Sequence, residues 1–141
     1  MKYFFDTSVL VPVFVDEHPH HEISLSVFSR ATRGQASCGV HSLAEVYATL
    51  TRLPGKHRVS ASEAILFLEN IKERLALISL DAEEYWRAIT QSAEAEIVGG
   101  TIYDALLAHC ALKARAETIL TWNIDHFRRV GPEVAKRVRT P

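Results

Sequence analysis

The chain has 141 residues, 48% of them apolar and 23% charged. That is enough apolar material for one core, and too balanced a mixture for disorder or a fibre. A net charge of −1 gives no overall basic field for nucleic acid, and no run of about 18 uncharged apolar residues is present to span a membrane.

Residues 1–6, Met-Lys-Tyr-Phe-Phe-Asp, carry a carboxylate where an export signal needs its apolar stretch, so the cytoplasm is the expected compartment. Residues 3–5 are the first of four short apolar runs that read as strands; the others are 36–40, 75–80 and 118–121. Helical patterns fill the gaps. Segment 20–32 repeats Ile23, Val27 and Ala31 at four-residue steps, and segment 43–53 puts Leu43, Val46, Tyr47 and Leu50 on one stripe. Pro54-Gly55 marks a loop that runs into Lys56-His57-Arg58. Ser60 opens a third helix, with Glu63 at capping-box spacing and Ile65, Leu66, Leu68 and Ile71 following. Asp81 caps a fourth over 82–97, and Thr101 a fifth over 102–116. The last is apolar nearly all round, which predicts a buried, central helix. From residue 113 onward there are 7 Lys/Arg against 3 Asp/Glu, a basic end that reads as a solvated terminus or a surface for phosphate or an acidic partner. Cys38 and Cys110 lack zinc-ligand spacing and read as buried free thiols.

Strands alternating with helices predict an α/β fold, one domain over 1–141, with a parallel sheet. Such sheets bind ligands beyond the carboxyl ends of their strands. Asp6 ends the first strand; Thr121, Trp122 and Asn123 end the last, with Asp125 close behind. Parallel topology brings these ends to one rim across about 115 residues of chain. Asp104 shares a helical face with Leu107, Ala108 and Ala111, where an ionised carboxylate is costly unless neutralised. Asp104 and Glu45 each have a plain alternative: Thr101-x-x-Asp104 and Ser42-x-x-Glu45 are capping-box spacings like Ser60-x-x-Glu63. The joint placement of Asp6, Glu45 and Asp104 is what favours a site. Gathered carboxylates repel, and a hard divalent cation relieves them while leaving room for a substrate phosphate. No Gly-rich phosphate loop and no G-x-S-x-G occurs, which leaves metal-assisted phosphodiester hydrolysis as the fitting chemistry.

Four segments, in order, carry a family likeness: Phe4-Phe5-Asp6-Thr7-Ser8-Val9-Leu10, His41-Ser42-Leu43-Ala44-Glu45-Val46, Ile102-Tyr103-Asp104-Ala105-Leu106-Leu107-Ala108, and Leu120-Thr121-Trp122-Asn123 with His126-Phe127. The chain resembles the PIN domains, specifically the VapC-type ribonuclease toxins of toxin–antitoxin pairs. The resemblance implies a three-layer α/β/α fold with a central parallel sheet and an acidic Mg²⁺ site, Mn²⁺ substituting, for endoribonuclease cleavage. It implies Asp6 and Asp104 as metal ligands, Glu45 as the third acid, and Asn123 at a position where many relatives carry a fourth Asp. Thr121 and Ser8 have hydroxyls that could bind or orient nearby groups, helix capping being the commoner role for Ser8. It further implies an RNA substrate, a small antitoxin partner and a homodimer.

Other residues have ordinary readings. His18, His20 and His21 form an exposed loop and helix entry, and His109 a satisfied core histidine. Trp86, Tyr103 and Trp122 are candidates for stacking on bases, Trp122 the best placed. Three rival functions compete with this reading. A phosphatase of the haloacid dehalogenase type wants a second Asp where Ser8 stands. A catalytically impaired PIN-like module binding RNA or protein has only Asn123 in its favour. A DNA-directed nuclease usually carries more acids.

Overall fold

The computed structural model describes all residues, 1–141. Five strands form one sheet: β1 Tyr3–Phe5, β2 Ala36–Gly39, β3 Ala76–Ile78, β4 Thr118–Leu120 and β5 Val138–Arg139. Eight helices accompany them: α1 Thr7–Val13, α2 His21–Ser29, α3 Val40–Thr51, α4 Ala61–Arg74, α5 Ala82–Glu94, α6 Thr101–Lys113, α7 Ile124–Arg128 and α8 Pro132–Ala135. A single 3₁₀ turn, Gly55–His57, follows Pro54. The strand order is β3-β2-β1-β4-β5 and every pairing is parallel. No helix is long and apolar enough to cross a membrane.

The paired aromatic residues of β1 explain the layering. Successive side chains on a strand face opposite ways. Phe5 joins Val9, Leu10, Phe28, Val46, Leu50 and Ile71 on one face. Phe4 joins Leu107, Ala108, Ala111, Ile119, Phe127 and Val138 on the other. The sheet is therefore covered on both sides, as an all-parallel sheet requires. Helix α6 buries Ala105, Leu106, Leu107, Ala108, Cys110 and Ala111, the central helix that its composition predicts. Both cysteines are free and buried; burial pushes the Cys38 thiol up to about 12 and Cys110 to about 11, so neither is a ready nucleophile.

Several details differ from the sequence reading. Helix α1 was not anticipated: it is seven residues long and contains Pro12, too short for a period to show. The buried positions of α2 are Ser24 and Phe28, while Ile23 is exposed, because the helix covers the sheet with its phenylalanine. In α4, Ile65 and Leu66 are exposed and Ala64 and Ile71 buried. Thr101 is not a cap; Gly100 holds that position and the Thr101 hydroxyl donates to the Val98 carbonyl. The basic end is folded, not loose: it supplies α7, α8 and the edge strand β5, with Val138 buried and Arg137 Nη1 donating to the Ala116 carbonyl at 2.6 Å. Arg128 and Arg129 remain exposed.

Candidate metal-dependent active site

The sheet register sets the site. Phe5 pairs with Cys38 on one side and with Leu120 on the other. The next residues, Asp6, Gly39 and Thr121, therefore stand at the same level, Gly39 as the last residue of β2 and the other two just past their strands. Chain order reverses between β1 and β4, where a parallel sheet opens a crevice. Asp6 and Thr121 stand at that point.

Asp6 is 1% exposed and serves as N-cap of α1, its side chain accepting from the Ser8 N–H. Two hydroxyls converge on one carboxylate oxygen. Ser8 Oγ donates to Asp6 Oδ2 at 2.6 Å and Thr121 Oγ1 donates to it at 2.8 Å. Each hydroxyl is held in turn by a backbone donor: Trp122 N–H to Ser8 Oγ and Asn123 N–H to Thr121 Oγ1, both at 2.9 Å. Both hydroxyls thus bear on one atom; the capping role open to Ser8 falls to Asp6. The other oxygen, Asp6 Oδ1, is buried without any hydrogen-bond partner. Burial raises the Asp6 pKa from 3.8 to about 6; the two hydroxyls pull it down, and the charge of Asp104 pushes it up again.

Asp104 lies in the first turn of α6 and is no cap. Its side chain is 18% exposed, and Oδ2 lies 2.8 Å from His126 Nδ1. With Asp104 ionised, the proton belongs on Nδ1, which donates. Burial raises the Asp104 pKa and His126 lowers it. His126 stands in one of the segments that carry the family likeness, but its pairing with Asp104, 22 residues away, is not legible in the sequence. Glu45, in the second turn of α3, is 30% exposed and accepts from Thr7 Oγ1 at 2.9 Å. Its predicted capping box with Ser42 does not form, because Gly39 is the N-cap and Ser42 is already helical. Ser42 Oγ instead lies 2.9 Å from Thr7 Oγ1. Thr7, the residue after Asp6, thereby ties Glu45 to the first residue of α1, a connection sequence reasoning missed.

The remaining candidates separate. Asn123 is exposed, and its side chain caps nothing. Asp125 is exposed in the first turn of α7. Trp122 is tied down: Nε1 donates to the buried Ser24 hydroxyl at 3.0 Å, and His20 stacks on the indole at 3.7 Å and 6°. The His18–His20–His21 segment is half-buried, not exposed, with His21 Nδ1 at 2.7 Å from the Pro12 carbonyl. His109 is half-buried with no side-chain hydrogen bond, and burial lowers its pKa.

These residues fit a hard divalent cation. No three His, Cys, Asp or Glu side chains gather closely enough to enclose an ion by themselves. Mg²⁺ does not need that; it commonly binds through one or two carboxylates and keeps several waters. Asp6 Oδ1 is a buried anionic oxygen with no partner, within the field of a second acid. A cation is the group that satisfies the first and relieves the second.

The family model described as "PIN domain" matches residues 3–132. Ribonuclease VapC27 of Mycobacterium tuberculosis is 41% identical over 113 residues, covering 79% of this chain and 78% of the relative. Ribonuclease VapC40 of the same species is 34% identical over 132 residues, covering 92% and 94%. Among solved structures, Mycobacterium tuberculosis VapC20, described as a sarcin-ricin loop cleaving toxin, superposes with a TM-score of 0.73 at 14% identity over 89% of this chain and 92% of that one. VapBC2 from Rickettsia felis, bound to a DNA fragment from its promoter, gives 0.66 at 20% identity, with 99% and 98% covered.

Proposed function

The chain belongs to the PIN-domain family, and from that premise we propose that it is an endoribonuclease, the toxin of a toxin–antitoxin pair. We read residues 1–141 as one PIN unit acting in the cytoplasm on RNA and held by a small antitoxin. The observation that carries the catalytic reading is Asp6: a fully buried carboxylate, one oxygen saturated by two hydroxyls and the other left without a partner.

Asp6 and Asp104 would hold the divalent ion, with Mg²⁺ the proposed metal and Mn²⁺ its substitute. When bound, that ion supplies Lewis-acid polarisation of a phosphate oxygen and a more acidic water. The protein's own contribution is orientation and proton handling. Ser8 and Thr121 fix the Asp6 carboxylate so that Oδ1 stays available. His126 does the same for Asp104. Glu45, anchored by Thr7, accepts a proton from the attacking water. That water forms a new bond to phosphorus, in line with the P–O3′ bond that breaks; the leaving oxygen takes a proton from solvent and departs as a 3′ hydroxyl, and Glu45 gives its proton back to solvent. Asn123, where many relatives carry an acid, contributes a neutral amide at the rim. Its side chain makes no hydrogen bond to Asp6, Glu45 or Asp104, so its part in the reaction is its place at the rim.

The test is RNA cleavage by the purified chain with Mg²⁺, with chelator, and with Asp6→Asn or Asp104→Asn. The expected result is metal-dependent cutting that falls at least about a hundred-fold in either variant, the loss typical of a removed electrostatic group. Metal-dependent cutting that survives both substitutions would overturn the site.

A further inference from the structure

On the reading that this chain cuts RNA, we propose that the stacked pair His41–Tyr103 is a platform for one unpaired nucleobase beside the acidic site. Three aromatic residues are candidates by sequence, and the structure separates them. Trp122 is committed to Ser24 and His20. Trp86 is exposed on α5 with nothing tying it to the acids. Tyr103 immediately precedes Asp104 and is 47% exposed. Its ring lies 5.3 Å from the His41 ring, at 14°. His41 is exposed as well, one turn ahead of Glu45, with Nε2 at 3.9 Å from Glu45 Oε1. One flat two-ring unit thus joins the helices that carry Glu45 and Asp104.

The chemistry of the neighbourhood selects a base over a phosphate. His41 also lines a cavity of about 240 Å³ whose other walls include Val40, Ile78, Leu80, Tyr85 and Leu106. No Lys or Arg lines it, and its lining is otherwise mostly apolar, so it lacks the fixed cations that hold a phosphate. Apolar walls next to stacked rings suit the face of a heterocycle. The rings are already parallel, so little ordering is lost when a third ring adds to them. A base inside a duplex has both faces covered; only a splayed, single-stranded base can use such a platform. The new element is the holder: a splayed base next to the scissile phosphate would stack on Tyr103.

The probe is a pool of stem–loop RNAs with randomised loops, incubated with Mg²⁺ and wild type, Tyr103→Leu, Tyr103→Phe or His41→Ala. The best-cut member is then remade with one abasic nucleotide at each loop position in turn. Loss of one stacked base costs about ten-fold or more. Tyr103→Leu should raise KM by that factor with kcat held, and Tyr103→Phe, which keeps the ring, should restore it. At one loop position the abasic nucleotide should cost wild type the same factor and cost Tyr103→Leu nothing further, because each change removes the same contact. His41→Ala carries the same expectation for KM alone, because Nε2 lies 3.9 Å from Glu45 Oε1 and its loss also acts on kcat; it stands in if circular dichroism shows Tyr103→Leu unfolded. Unchanged KM in both variants, or abasic penalties equal in wild type and variant at every position, overturns the platform. An effect of the variants on antitoxin affinity alone, with RNA cutting intact, assigns the pair to a protein partner and overturns it equally. Failure of wild type itself to cut any RNA defeats the ribonuclease reading, a result that is recognised before any Tyr103 variant is compared.

Discussion

Without metal, the chain should be more stable in mild acid than at pH 8, and Asp6 should be the reason. Its carboxyl is fully buried, and burial with the Asp104 charge lifts its pKa from 3.8 to about 6 despite two hydroxyl donors. Unfolding returns it to 3.8. A folded pKa above the unfolded one means that the fold prefers the protonated form. That contribution is complete below pH 3.8 and is lost as pH rises through 6. Two pKa units correspond to ~3 kcal/mol in full. Between pH 8 and pH 5, where the folded group is mostly protonated and the unfolded group mostly ionised, linkage gives ~1.4 kcal/mol. Asp6→Asn keeps the shape and removes the proton. The assay is urea unfolding of wild type and Asp6→Asn in chelator at both pH values, taking the difference between the proteins at each so that other titrations largely cancel. The gap should move by ~1.4 kcal/mol in favour of wild type on going to pH 5. Adding Mg²⁺ at pH 8 should stabilise wild type and leave Asp6→Asn unmoved. A gap that is the same at both pH values would refute the claim that Asp6 is held ionised at a cost.

Other substitutions report on the supports of the site. Thr121→Val keeps the volume but removes a donor to Asp6 and strands the Asn123 N–H; it should cost ~1–3 kcal/mol in urea and move the acid limb of the cleavage profile to higher pH, since a lowering influence on Asp6 is gone. His126→Ala should weaken Mn²⁺ binding roughly 10–100-fold by calorimetry, with unchanged affinity showing that Asp104 needs no partner. In Gly39→Ala the new Cβ would stand 2.5 Å from Leu107 Cδ2, and Leu107 is 1% exposed with little room to turn; a loss of ~1–3 kcal/mol is expected, and an unshifted melting midpoint would show that Leu107 yields freely.

What the sequence disclosed follows the strength of each local signal. The four apolar runs were visible because buried parallel strands are short and continuously apolar, and α6 because six of its residues point into the core. The strand ends then located Asp6 and Thr121 correctly, since parallel pairing leaves little freedom in where they emerge. Helix α1 and strand β5 were not visible; seven residues with an internal proline and two residues at an edge carry no period. The basic tail misled for a related reason. Its arginines reach carbonyls of the fold, Arg137 at Ala116 and Arg139 at Lys136, and a charge count does not register such contacts. His126 and Thr7 were missed because each acts on a residue far off in sequence.

The two Ser-x-x-Glu segments show how identical spacing yields different chemistry. Ser60 stands outside its helix with φ −68° and ψ 159°, and the box with Glu63 closes. At Ser42 the box is impossible, because β2 runs straight into α3 at Gly39–Val40 and the helix has begun two residues before the serine. The start of the helix is set by the end of the strand, and the strand by its pairing with β1. Ser42 is thereby left to meet Thr7, and Glu45 to face the crevice side of α1 through the same threonine. Whether a carboxylate caps a helix or joins a site is therefore decided by where the neighbouring strand stops, a tertiary fact. In this fold it is the register of Phe5 with Cys38 that releases Glu45 from backbone duty.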